Sequence, residues 1–210
     1  MLSILQAAGW PIWPLLACSI LTLALIIERF ISLKPSKVAP EKLLDEVLSV
    51  TRSGLPTPDV IAQLERNSAL GEVLASGVRA LSHNPRCPEP ELRAIMEAAG
   101  RLVAHRLQRY LSALATIASA APLMGLFGTV VGMIEIFGAQ APGSVGASNP
   151  AQLAHGISVA LYNTAFGLII AIAALIFWRY FRARVDADLL TLELASERLL
   201  RHLCVLRRPA

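Results

Sequence analysis

Among the side chains able to hold or pass a hydrogen bond inside the apolar stretches of this sequence, four stand out. Thr129 and Glu135 lie in APLMGLFGTVVGMIE, and Asn163 and Thr164 lie in ALYNTAFGL. A hydroxyl donates and accepts, as does an amide, and a carboxyl takes up or releases a proton. In lipid such groups are expensive: an ionised carboxylate at the bilayer centre costs about 2.5–3.5 kcal/mol on insertion scales. Helices facing only acyl chains would need none of them. For Glu135 two readings stand side by side, access for protons and contact with the outer interface. His155, near the outer end of its apolar run, is an interfacial histidine or a titrating group. No phosphate-binding glycine loop, zinc-protease HExxH or GxSxG nucleophile motif is present, so the chain reads as a non-enzyme with no cofactor and no metal.

The elements that position these groups follow from the charges. The 210 residues are 55% hydrophobic and only 16% charged. No charged side chain occurs in 1–27, 110–134 or 136–178. A membrane span needs about 20 mostly apolar residues. The spacing predicts spans at 10–33, 111–138 and 153–178, with the Gly-, Pro- and Ser-rich 138–152 as a loop. All 19 Lys and Arg lie at Arg29, within 34–109 or within 179–208. The positive-inside rule then puts the N-terminus outside, and the middle segment and C-terminus in the cytoplasm. Trp10 and Trp13 suit the outer interface. The net charge of +4 is accounted for by these flanks, without nucleic acid. Cys18, Cys87 and Cys204 are scattered and suggest neither a disulfide framework nor a metal site.

Small residues mark faces. At about 100° per residue, Ala121, Gly125, Gly128, Gly132 and Glu135 share one side of span two, with Thr129 at its edge. In span three Gly156, Ala160, Thr164, Gly167, Ala171 and Ala174 form a stripe, with Asn163 beside it. Such faces let another helix approach closely and are also what plain helix packing selects. Pro122 is tolerated in a span where a neighbour satisfies the freed carbonyl, and it is a candidate kink.

The expected fold is all-α: an integral membrane protein with three transmembrane helices, two of them extended into the cytoplasm as long helices. By segment, 1–33 holds the outward-facing N-terminus and first span, and 34–110 the cytoplasmic helices. The second span is 111–138, the outward-facing loop 139–152, the third span 153–181 and the cytoplasmic C-terminal helix 182–210. In the cytoplasmic part LKPSKVAP reads as a linker, and helices are predicted over 41–52, 59–67 and 68–82. Span two is expected to continue a single helix running over 89–137. After span three, Val185, Leu189, Leu192, Leu199, Leu203 and Leu206, with Ser196, fall at heptad-like positions. They suit packing on helices of other subunits or on the chain's own cytoplasmic helices.

The stretches LATIASAAPLMGLFGTVVGMIEIF and HGISVALYNTAFGLIIAIAALIFWRYFRAR resemble the MotA/TolQ/ExbB proton-channel family. The three-span topology and the LIIERF ending of span one are similar to its ExbB/TolQ branch. The resemblance implies a homopentamer around a mostly apolar pore. The pore holds the single spans of an ExbD- or TolR-like partner, whose aspartate takes up and releases protons. It also implies TonB-like or TolA-like proteins as further partners, membrane lipids as surroundings, and the bacterial inner membrane as location. The family's two pore threonines fall on Thr129 and Thr164. With Glu135 and Asn163 these form the expected pore-lining set. Two departures stand out. ExbB has a glutamate in GIAEAL where this chain reads GISVAL, with Val159 in its place. Family members often read AIP where this chain has Ile172 and Ala173. The implied function is a subunit that uses the proton motive force to energise outer-membrane transport or envelope maintenance. A non-conducting membrane scaffold of the same fold is the competing expectation.

Overall fold

The computed structural model describes residues 10–138 and 150–207, and all regular structure among them is helical. In chain order the helices are α1 (Ile12–Ser32), α2 (Pro35–Val38), α3 (Leu43–Ser53), α4 (Pro58–Asn67), α5 (Ala69–His83), α6 (Glu89–Gln108), α7 (Leu111–Gly138) and α8 (Pro150–Arg207). Three helical stretches are long and apolar enough to cross a membrane: Ile12–Ser32, Glu89–Gly138 and Gly156–Val205. The chain divides into two compact units. One comprises Met1–Glu28 and Tyr110–Tyr180, the other Arg29–Arg109 and Phe181–Ala210.

In the first unit the apolar runs become the first part of α1, all of α7 and the first part of α8. Ile12, Leu15, Leu25 and Ile26 of α1 are buried. Thr22, buried among them, donates its hydroxyl to the Cys18 carbonyl at 2.7 Å, so its polarity is satisfied within the helix. Trp10 meets Phe127 of α7 edge to face, with ring centroids 5.9 Å apart. α7 runs on through Pro122 to Gly138. α8 starts at Pro150, where a missing N–H costs nothing because the first turn has no partner for it. Residues 150–152 are therefore helical rather than part of the expected loop, and residues 139–149 lie outside the described set.

The single helix expected over 89–137 is interrupted. α6 ends at Gln108, Arg109 is extended (ψ 142°), and Tyr110 takes φ 67° before α7 begins. A non-glycine residue in that left-handed region costs about 1–2 kcal/mol, and no glycine or proline announces the break. The compensation lies in hydrogen bonds. Arg29, 3% exposed, donates from Nη1 to the Leu107 carbonyl at 2.9 Å, and the Leu114 amide is held by Tyr110 O at 3.2 Å. Carbonyls in the last turn of a helix lack intrahelical donors and favour a nearby cation. Arg29→Met strands that carbonyl and is expected to cost about 2 kcal/mol. The readout is the melting temperature of the detergent-solubilised protein, with Arg29→Lys recovering part of the loss.

The second unit is a helical bundle. Leu70, Val73, Leu74, Ala75, Val78 and Leu81 of α5 form the centre of its core, all at most 6% exposed. Leu92, Met96, Val103 and Leu107 of α6 are buried too, as are Val185, Leu192, Ala195, Leu199 and Leu203 of α8. Each buried Leu or Val contributes about 1.5–3 kcal/mol relative to exposure. The expected heptad face thus lies on the chain's own unit. Its frame differs at alternate positions: Asp188 and Ala195 are buried where Leu189 and Ser196 were expected. The stretch LKPSKVAP is not a plain linker, because Pro35–Val38 forms one helical turn that buries Val38. Ser68 caps α5, its hydroxyl oxygen accepting from the Gly71 amide at 3.0 Å. Ser68→Ala is expected to cost about 1 kcal/mol in thermal unfolding.

Ion pairs join the helices of this unit: Arg79 with Glu65, Arg106 with Glu72, and Arg93 with Glu197 at 2.8 Å. The hydrogen bond from Arg79 holds the Glu65 carboxyl below its ordinary value, and that from Arg93 does the same for Glu197. These groups are largely solvated, so the pairs act mainly to fix register.

Candidate functional site

The small-residue faces of α7 and α8 lie on each other. A Cβ placed on Gly125 would stand 2.8 Å from the Asn163 carbonyl oxygen and 2.9 Å from Thr164 Cα. On Gly167 it would stand 2.5 Å from the Ala121 carbonyl oxygen, and on Gly128 2.9 Å from Asn163 Cβ. Gly132 faces Ala160, and Gly156 faces Ile136. Backbone meets backbone here, so no helix can be inserted between these two faces. Ala160, Ala171 and Ala174 are at most 6% exposed. Residue numbers rise on one helix as they fall on the other, so the pair is antiparallel.

This register sorts the four polar candidates. Take the seam centre on α7 as the mean direction of Ala121, Gly125, Gly128 and Gly132. Thr129 then lies about 70° to one side and Glu135 about 50° to the other. On α8, Thr164 lies about 60° from the mean direction of Ala160, Asn163, Gly167, Ala171 and Ala174. Because the helices run in opposite directions, the Thr129 and Thr164 offsets open to the same flank, about one turn apart along the seam. Pro122 is on that flank too. Glu135 is exposed on the opposite flank and does not join the threonines. Asn163 departs from the pore-lining expectation: it is 2% exposed and packs over Gly128, inside the helix contact. The side chains of His155 and Val159 lie outside the described set.

The two threonines differ in their hydrogen bonds. Thr164 Oγ1 donates across the seam to the Gly125 carbonyl at 3.2 Å. Thr129 Oγ1 donates within its own helix to the Leu126 carbonyl at 2.6 Å. Each hydroxyl has committed its one hydrogen to a carbonyl, and its lone pairs remain free to accept. Thr129 borders a shallow apolar depression walled by Val130, Met133, Ile134 and Phe137, in which it is the one polar side chain. A hydroxyl with so little competing polarity is a selective partner for any proton-bearing group that reaches this flank.

The pattern describing the MotA/TolQ/ExbB proton channel family matches residues 65–194, which include the whole of this seam. The chain belongs to this family. It is 35% identical over 178 residues to the ExbB-like 3 biopolymer transport protein of Synechocystis sp., covering 85% of this chain and 83% of the relative. Identity to the biopolymer transport protein exbB1 of Vibrio cholerae is 35% over 173 residues, 80% of this chain and 73% of that one. The Tol-Pal system protein TolQ of Pseudomonas aeruginosa is 30% identical over 183 residues, 82% and 77% of the two chains. Membership of the MotA/TolQ/ExbB family supports a role in energising biopolymer transport, and the family is one of channel subunits rather than enzymes.

Two buried charged residues escaped the sequence reading. Arg29 ends an apolar run and looks like an ordinary interfacial anchor. Asp188 sits among charges on the helix, yet it shares the buried face of Val185 and Leu192. A 3–4 alternation counted from Val185 would have found it.

Proposed function

We propose that this chain is a subunit of a proton-motive-force-driven motor in the bacterial inner membrane, its N-terminus periplasmic and its C-terminus cytoplasmic. It assembles as a homopentamer around the single spans of an ExbD- or TolR-like partner. With TonB-like or TolA-like proteins it energises outer-membrane transport or envelope maintenance. The observation that carries this reading is the common flank of Thr129 and Thr164 beside a seam too tight to admit anything else. Here the hydroxyls meet the partner's acid. With their hydrogens on Gly125 and Leu126 they accept from the protonated acid, and by rotating away they donate to the carboxylate. Neither protonation state is then left unpaired in an apolar pore. Glu135, on the other flank, takes the interfacial role.

The scaffold reading draws on Val159, which stands where ExbB has a glutamate. Co-reconstitution with the partner in liposomes separates the two. The motor reading expects proton flux only when both proteins are present. Proton tightness in every combination, from a complex shown to be assembled, supports the scaffold.

A further inference from the structure

The charge-free part of α8 ends at Trp178, and Asp188 lies ten residues, about 15 Å of helix, beyond it. Asp188 is 7% exposed and is flanked on its own face by Val185, Leu192 and Ala195. Its Oδ2 is enclosed and has no hydrogen-bond partner among the described residues. Arg184, one turn earlier, brings Nε to 3.6 Å, an ionic contact too long for a hydrogen bond.

Several charges on the other elements of this unit are engaged by other groups. On α1, Arg29 donates to Leu107 O. On α5, Glu72 holds Arg106 and Arg79 holds Glu65. On α6, Arg93 holds Glu197 and Arg101 lies by Glu97, while His105 is exposed. Burial pushes the Asp188 carboxyl up, and Arg184 is the charge that opposes this. A neutral carboxyl can remain on this apolar face. An ionised one must draw in water or turn outward toward Arg184.

We propose that Asp188 is a proton-operated latch, neutral when the 181–207 stretch of α8 is seated on its own unit and ionised when that stretch loosens. The sign follows from the raised value in the folded state. The contribution of Asp188 to stability is fully present below the ordinary aspartate range and is lost as pH rises through the folded value. Falling pH on this side of the membrane therefore tightens α8, independently of any proton flux along the threonine flank.

The test is backbone hydrogen exchange of 181–207 in the full-length protein in nanodiscs from pH 4.5 to 8, corrected for intrinsic exchange. Wild type should lose protection as pH rises, about tenfold for each unit by which the folded value is raised. Asp188→Asn should remove that step and keep the acid-state protection throughout. Asp188→Leu, which leaves no polar group to bury, should do the same even if the asparagine variant is poorly folded. Arg184→Gln should move the step to higher pH. A wild-type profile without the step, or one unchanged in Asp188→Leu, overturns the latch.

Discussion

Gly167→Ala should cost about 3 kcal/mol and spoil the pairing of α7 with α8. The added Cβ would stand 2.5 Å from the Ala121 carbonyl oxygen and meet Gly125 Cα at 3.1 Å. Both are backbone atoms and cannot swing aside as a flexible side chain would. The helices must separate, losing the close contacts at Gly125, Gly128 and Gly132 together, which places the cost at the upper end for overpacking. The expected result is a lower melting temperature and a broadened or aggregated elution profile in detergent. Gly100→Ala is the control. A Cβ there meets nothing within 4 Å, so the change should stabilise α6 by about 0.5–1 kcal/mol. Equal behaviour of the two variants would mean that the seam is not a tight contact.

Thr164→Val is the second large effect, and it should fall on function rather than on folding. Valine keeps the shape and removes the hydroxyl that reaches Gly125 O. That carbonyl lies within a helix, so the stability change should stay at about 1 kcal/mol or less. Proton flux in the co-reconstituted complex should fall much further. A hydrogen bond to a charged group contributes about 1.5–3 kcal/mol, and each 1.4 kcal/mol is about tenfold in rate, so a loss of tenfold or more is expected. Thr129→Val should act in the same direction, and Thr164→Ser should retain most activity. Leu123→Val, on the far face of α7, should leave flux unchanged. Full flux from an intact Thr164→Val complex would remove Thr164 from the proton path.

Much of this was legible in the sequence, for definite physical reasons. Charge-free runs longer than a bilayer is thick leave few alternatives to spanning helices, and glycines at spacings of three and four can only mark a close contact. What the small residues touch was not legible. The stripes on the second and third spans suit a partner helix as well as each other, and only the register of Gly132 on Ala160 and Gly125 on Gly167 decides between them. The same register separates Glu135 from Thr129, which a single helical wheel places on one broad face. The break at Tyr110 gave no sign because its cause is distant in sequence: Arg29 supplies the donor that the end of α6 lacks. Asp188 was hidden by composition, since an acid among arginines reads as solvated until its face of the helix is found buried.

The most direct measurement is an electron cryomicroscopy map of the complex purified with its partner, at side-chain resolution. A closed ring of identical subunits is expected, in which the Thr129–Thr164 flank of every α7–α8 seam faces a central cavity containing the partner's span. Thr129 and Thr164 turned outward into acyl chains, with that cavity walled by other residues, would contradict it.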